Sequence, residues 1–201
     1  RLLDSLREIT PRVMFIQSCV AMDLSANVLL AAGASPVMLH AAEEVEDLMK
    51  LSAALSISAG AASSPTWIKA MELAASTAHG SGKPWVLDSE GCGESAYRSE
   101  LCARLMQYHP TAVRGSPLEI MALAAGGDDT EDWEVKLETQ RAFPAALALA
   151  KHFKCVTAIS NTQDNIVTDG ATKAIIQSGG KKGYIRLIAG TGTSLSALRS
   201  A

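Results

Sequence analysis

Leu187 to Leu198 reads L-I-A-G-T-G-T-S-L-S-A-L: an apolar strand end, a glycine turn at Gly190-Thr191-Gly192, and the small residues of a packed helix start. Glycines let a ligand approach the backbone closely, and the first N–H groups and positive dipole end of a helix favour a phosphate or a developing alkoxide. An ordinary strand-to-helix turn fits G-T-G as well, because short glycine motifs often match by chance. Other chemistry-bearing residues close short apolar runs: Asp88 ends Trp85-Val86-Leu87, Arg114 ends Thr111-Ala112-Val113, and Ser160 follows Cys155 to Ile159. If those runs are strands, Asp88, Arg114, Ser160 and Gly190 all sit at strand C-termini, where open sheets bind ligands.

The elements that must carry them follow from pattern. Arg1 to Arg12 reads as an amphipathic helix stopped at Pro11, Val13 to Val20 as extended, and Leu24 to Ala32 as a helix ended by Gly33. Ala34 to Met38 must be extended around Pro36, and the acidic run Glu43 to Asp47 opens a further helix. Leu51 to Ile57 reads as a buried strand, Ser64-Pro65 as a helix cap, Ser95 to Tyr108 as a helix, and Ser116-Pro117-Leu118-Glu119 as a capping box. Gly126 to Trp133 is linker-like, Glu134 to Phe153 a long helix, and Asn165 to Asp169 a strand ending in a turn at Gly170. Alternating strands and helices predict an α/β fold with a mainly parallel central sheet covered on both faces.

Composition narrows the classes. The 201 residues are 48% hydrophobic and 19% charged, enough for one sizeable core and one domain spanning 1–201. A net charge of -3 gives no reason to expect nucleic acid or an anionic membrane. Cys19, Cys92, Cys102 and Cys155 lack zinc-site spacing and are too sparse for a disulfide scaffold, and His40, His79, His109 and His152 show no metal-ligand spacing. No apolar run reaches the roughly 18 residues of a membrane span and no signal peptide opens the chain, so a cytoplasmic protein is expected. The chain begins without Met and stops inside an expected helix, which reads as part of a longer polypeptide.

Ser25 to Leu48, S-A-N-V-L-L-A-A-G-A-S-P-V-M-L-H-A-A-E-E-V-E-D-L, closely resembles the signature region of the hydroxyethylthiazole kinase family. V-L-D at Val86 to Asp88, R-G-S-P-L-E-I at Arg114 to Ile120, D-N-I-V-T-D-G at Asp164 to Gly170 and A-G-T-G at Ala189 to Gly192 fall in that family's order. The resemblance implies a ribokinase-like three-layer α/β/α fold lacking its C-terminal helices, and transfer of the ATP γ-phosphate to the hydroxyl of 4-methyl-5-(2-hydroxyethyl)thiazole in thiamine biosynthesis. It also implies a homotrimer with active sites between subunits. By the same resemblance Met38, Asn27 and Gly190 would bind the thiazole, Arg114 and Ser160 the ATP phosphates, and Asp88 and Glu119 would stand near Mg2+. Gly190, Thr191 and Gly192 would form the anion hole. Phosphoryl transfer needs charge neutralisation and alignment more than covalent chemistry, which suits such a set. Each residue also has a structural reading: Glu119 as the N3 residue of a cap, Asp88 as a loop cap, Arg114 as a strand-end surface charge, Met38 as core.

Departures from the family pattern are also visible. Thr193 stands where the family carries a cysteine placed to help deprotonate the substrate, and a threonine hydroxyl is no base near neutral pH. Ile16-Gln17-Ser18, Asp88-Ser89, Arg114-Gly115-Ser116, Ser160-Asn161 and Ala189 replace the family's I-T-N, D-P, R-G-N, T-G and a threonine. Three readings stay open: an active thiazole kinase, a degenerate member that binds thiazole or nucleotide, and a kinase for another small primary alcohol.

Overall fold

The computed structural model describes residues 2–126, 139–161, 164–177 and 191–200. Among the described residues, eight strands form one sheet in the order β2-β1-β3-β4-β5-β6-β7-β8. They are β1 (Arg12–Ile16), β2 (Ser35–Met38), β3 (Ala54–Ser58), β4 (Trp85–Asp88), β5 (Ala112–Gly115), β6 (Val156–Ser160), β7 (Asp164–Thr168) and β8 (Lys173–Gln177). β1 to β6 pair in parallel, and β7 and β8 close the sheet as an antiparallel pair. The helices are α1 (Leu2–Ile9), α2 (Cys19–Ala32), α3 (Val45–Leu51), α4 (Pro65–Gly80), α5 (Ala96–Met106), α6 (Pro117–Ala124), α7 (Phe143–Phe153) and α8 (Thr191–Ser200). No described helix is long and apolar enough to cross a membrane.

Strand alternation divides the core in two, since successive side chains point to opposite faces. Met14, Ile16, Leu55, Ile57, Trp85, Leu87, Val113 and Ile159 join the larger cluster with the buried residues of α3 to α7. Val13 and Phe15 face the other way, onto Ala26 and Leu29 of α2 and Ala197 of α8. Helices therefore cover both faces, as expected for a three-layer α/β/α sandwich. α2 and α8 are pinned by the buried pair Ser25 Oγ and Ser194 Oγ, 3.1 Å apart.

The cap read at Ser64 is found in place, and Ser95, read as the first helical residue, is itself a cap. Ser64 and Ser95 accept from the N–H groups of Trp67 and Arg98 at 3.4 and 3.3 Å. Gly33 ends α2 at φ 110, its N–H reaching Leu29 and Leu30 carbonyls; a Cβ there would meet the Arg7 backbone at 2.8 Å, so glycine is required twice over.

Several boundaries differ from expectation. The strand after Pro11 stops at Ile16, and α2 already starts at Cys19, whose preceding Ser18 makes no side-chain cap bond that a capping rule could detect. Leu51 belongs to α3, not to a strand, because the Ser52 N–H bonds back to Met49 and closes the helix before β3 starts at Ala54. The helix expected from Glu134 begins at Phe143, without a side-chain cap, and Glu134 lies outside the described residues. β8 is fully exposed and so carries no burial pattern to announce it. The segments 127–138 and 178–190, including the expected linker and Gly190, also lie outside the described residues.

Candidate phosphoryl-transfer site

The face opposite the large core carries the polar end of the sheet. Ser58 ends β3, Asp88 ends β4 and Arg114 lies on β5, and they are cross-strand partners in register: Ser58 with Asp88, Asp88 with Arg114. Partners in a parallel ladder project to the same side, so three adjacent strands deliver a hydroxyl, a carboxylate and a guanidinium to one row. Strand order reverses between β1 and β3, and open sheets of this kind bind ligands beyond the carboxyl ends of their strands near such a reversal.

Asp88 is fully buried, and Arg114 Nη1 donates to both its oxygens at 3.1 and 3.2 Å. From α8, Ser196 Oγ donates to Asp88 Oδ2 at 2.9 Å. Gly192 lies one helical turn before Ser196, on the same side of α8. A Cβ added at Gly192 would stand 2.6 Å from Arg114 Nη2, so the absence of a side chain lets the guanidinium press against the helix start. Arginine and helix N-terminus thus bring positive charge to one point, an arrangement that favours an anion with several oxygens. Arg114 Nε and Ser160 Oγ are buried without a hydrogen-bond partner among the described residues, and both can donate. Buried donors left in this condition suit a ligand that supplies acceptors.

Two further carboxylates stand close by. Glu119 accepts from the Ser116 N–H at 2.6 Å and, while Ser116 Oγ accepts from the Glu119 N–H at 3.3 Å, completes the reciprocal capping box of α6. Its other oxygen accepts from the Gly91 N–H at 2.9 Å, tying the loop after β4 to the start of α6. Glu90 Oε2 accepts from Ser58 Oγ at 2.7 Å, and a Cβ at Gly60 would lie 2.3 Å from that oxygen, so Gly60 clears the space for the carboxylate. Burial pushes the Asp88 carboxyl above its ordinary range against the opposing pull of Arg114 and Ser196, and Glu90 adds to the rise. Glu119 is raised by burial and then by the Asp88 charge, against its two backbone hydrogen bonds. Burial alone would lower Arg114; the surrounding carboxylates, Asp88 first, reverse this and hold it above its ordinary value.

Mutually repelling carboxylates are a donor set that a hard cation relieves. Among the described residues no three His, Cys, Asp or Glu side chains gather into a metal cage. Magnesium does not need one: it is commonly held by one or two carboxylates with its waters and the phosphates of a nucleotide, a requirement that Asp88 and Glu119 fit.

The structure thus brings Asp88, Arg114, Glu119 and Gly192 together, with Met38 and Asn27 away from them, while Gly190 lies outside the described residues. Ser160 closes β6, two residues past Ala158, the partner of Arg114, on the same face. Met38 ends β2, half exposed, at the same edge of the sheet but separated from β4 by β1 and β3. Asn27 lies on the exposed side of α2, where its amide donates to the Asp23 carbonyl at 2.9 Å and carboxylate at 3.3 Å, outside the Asp88 cluster. Thr191 and Thr193 belong to the first turn of α8. Sequence reading passed over Ser58, Glu90 and Ser196; strand alternation from Ser56 and the one-turn spacing from Gly192 are the signals that place two of them.

This arrangement agrees with what the chain is similar to. A protein named hydroxyethylthiazole kinase from Nitratidesulfovibrio vulgaris is 41% identical over 180 residues, covering 89% of this chain and 67% of its own length. The chain spans 63% to 68% of the length of curated relatives of this kind. The solved structure of the hydroxyethylthiazole kinase protein from Pyrococcus horikoshii OT3 superposes with a TM-score of 0.86 at 30% identity, over 98% of this chain and 73% of that one. A pyridoxal kinase from Staphylococcus aureus, solved in complex with ADP, shares the fold at 12% identity, with a TM-score of 0.68 over 94% of this chain and 79% of its own. The fold is ribokinase-like, and with residues 3–201 matching the model of the hydroxyethylthiazole kinase family, the chain belongs to that family.

Proposed function

We propose that this chain phosphorylates 4-methyl-5-(2-hydroxyethyl)thiazole with ATP, as part of thiamine biosynthesis or salvage. The observation that carries the reading is the buried Asp88–Arg114 pair set against the start of α8 at the carboxyl edge of the sheet. Arg114 and Ser160 would bind the ATP phosphates, and Gly190 to Gly192 with the helix start would receive the transferred group. Asp88 and Glu119 would hold the Mg2+, which when bound neutralises phosphate charge. Asp88 also orients the guanidinium through two hydrogen bonds, while Ser196 fixes the carboxylate from α8. Met38, Asn27 and Gly190 would contact the thiazole side. A threonine hydroxyl at position 193 would donate or accept a hydrogen bond without removing the substrate proton, which a loose transition state tolerates.

By resemblance to the family the chain would assemble as a homotrimer with sites between subunits, and the expected compartment is the cytoplasm. The test of the activity is ADP formation with Mg-ATP in the presence and absence of the thiazole alcohol. Thiazole-dependent ADP supports a kinase. The Thr193 replacement favours a second reading, a binding member of the family; thiazole binding by calorimetry without ADP would establish that reading instead.

A further inference from the structure

At the opposite edge of the sheet a cleft of about 250 Å³ is lined by His79, Lys83, Trp85, His109 and Thr111. Trp85 is the first residue of β4, as Asp88 is its last, so this cleft lies at the amino ends of the strands. His79 comes from the last turn of α4 and His109 from the turn after α5. Thirty residues apart in sequence, their rings stand with centroids 5.2 Å apart and a 34° tilt between planes. His109 holds φ at 50, a left-handed position after a helix where glycine or asparagine is the usual choice.

The other polar groups of the cleft are already engaged. Lys83 Nζ donates to the carbonyls of Met49, Lys50 and Ser52 at the end of α3, at 2.5, 3.0 and 2.6 Å. Thr111 Oγ1 accepts from the Trp85 N–H at 3.2 Å, and Trp85 Nε1 donates to the Tyr108 carbonyl at 3.1 Å. The two imidazoles are what the cleft offers a ligand. Two histidines sharing one tetrahedral ion through bonds of about 2.1 Å place their ring centres roughly 5 Å apart, close to the spacing here.

We propose that His79 and His109 form a two-imidazole site for a borderline-soft divalent ion of the zinc type, distinct from the magnesium chemistry of the opposite edge. Neutral imidazole nitrogens select zinc, nickel or copper over magnesium. Two protein ligands leave positions for water at the mouth of the cleft. The ion would clamp the end of α4 to the end of α5.

Zinc alone, titrated calorimetrically into the untagged protein, tests this, with His79→Gln, His109→Asn and Cys19→Ser as variants. His109→Asn retains a residue that tolerates the left-handed backbone, and circular dichroism checks that each variant folds. The expected result is one zinc per chain, unchanged by Cys19→Ser and weakened more than about tenfold by either histidine variant. At a hundredfold excess over the dissociation constant, zinc should raise the wild-type melting temperature by roughly 5–10 °C and the histidine variants by far less. Absence of zinc binding, wild-type affinity in both histidine variants, or loss of binding in Cys19→Ser, whose exposed thiol is the competing ligand, would each overturn the proposal and leave the rings as a stacked pair.

Discussion

Arg114→Ala should destabilise the protein in a way that depends on pH, because Asp88 would keep its burial and lose its counter-charge. The Asp88 side chain is 0% exposed and that of Arg114 15%, so this is a buried pair and not a surface one. Removing one partner of such a pair costs about 3–5 kcal/mol, against about 0–1 for an exposed pair. For a chain of this size that is a fall in melting temperature of roughly 6–20 °C. Burial already raises the Asp88 carboxyl, and the Arg114 charge and hydrogen bonds are among the influences holding it down. Without them the folded-state pKa rises further. A raised acid keeps its proton in the folded state, so stability is lost as pH climbs from the ordinary aspartate value of 3.8 through the folded one. The deficit of the variant should therefore be full above that window and shrink on acidification. Urea unfolding of Arg114→Ala at pH 8 and pH 5, alone and combined with Asp88→Asn, measures this. The account expects the second substitution to remove much of the penalty of the first. A deficit below about 1 kcal/mol at pH 8, or full additivity in the double variant, would refute a buried charge pair.

Three other outcomes follow from the same geometry. Ser196→Ala should cost about 1–3 kcal/mol, as a buried carboxylate loses one hydrogen bond, and thermal unfolding with no shift would show that α8 does not hold Asp88. Glu119→Gln exchanges one of two acceptors for an amide donor facing an N–H, which should cost about 1–3 kcal/mol; Ser116→Ala should cost about 1, and equal costs would mean that the Gly91 contact contributes nothing. Thr193→Cys should raise turnover if proton removal limits the reaction, and unchanged kcat would show that it does not.

What could be read in advance divides by the range of the interaction. Caps at Ser64 and Ser116 and the stop at Gly33 depend on residues a few positions apart, so sequence alone located them. The starts of α2 and α7 have no side-chain cap, and β8 has no buried face; there the tertiary packing decides and the local pattern is silent. Asp88 and Arg114 were placed at strand ends by the apolar runs preceding them, but their pairing follows from the register of β4 and β5. Glu119 is a cap, as its spacing from Ser116 predicts, and its carboxyl is raised above the ordinary range by burial first and then by the Asp88 charge. The one-turn spacing from Gly192 places Ser196 on α8, but its bond to Asp88, like the His79–His109 contact, joins segments that only the fold brings together.

The most direct test of the proposed reaction is the fate of the terminal phosphate. Labelled ATP and the thiazole alcohol, incubated with magnesium and the protein, should yield the phosphate ester of the hydroxyethyl arm by mass spectrometry, and Asp88→Asn should yield little. Free phosphate without ester, or ester formation undiminished in Asp88→Asn, would contradict a transfer site built on Asp88 and Arg114.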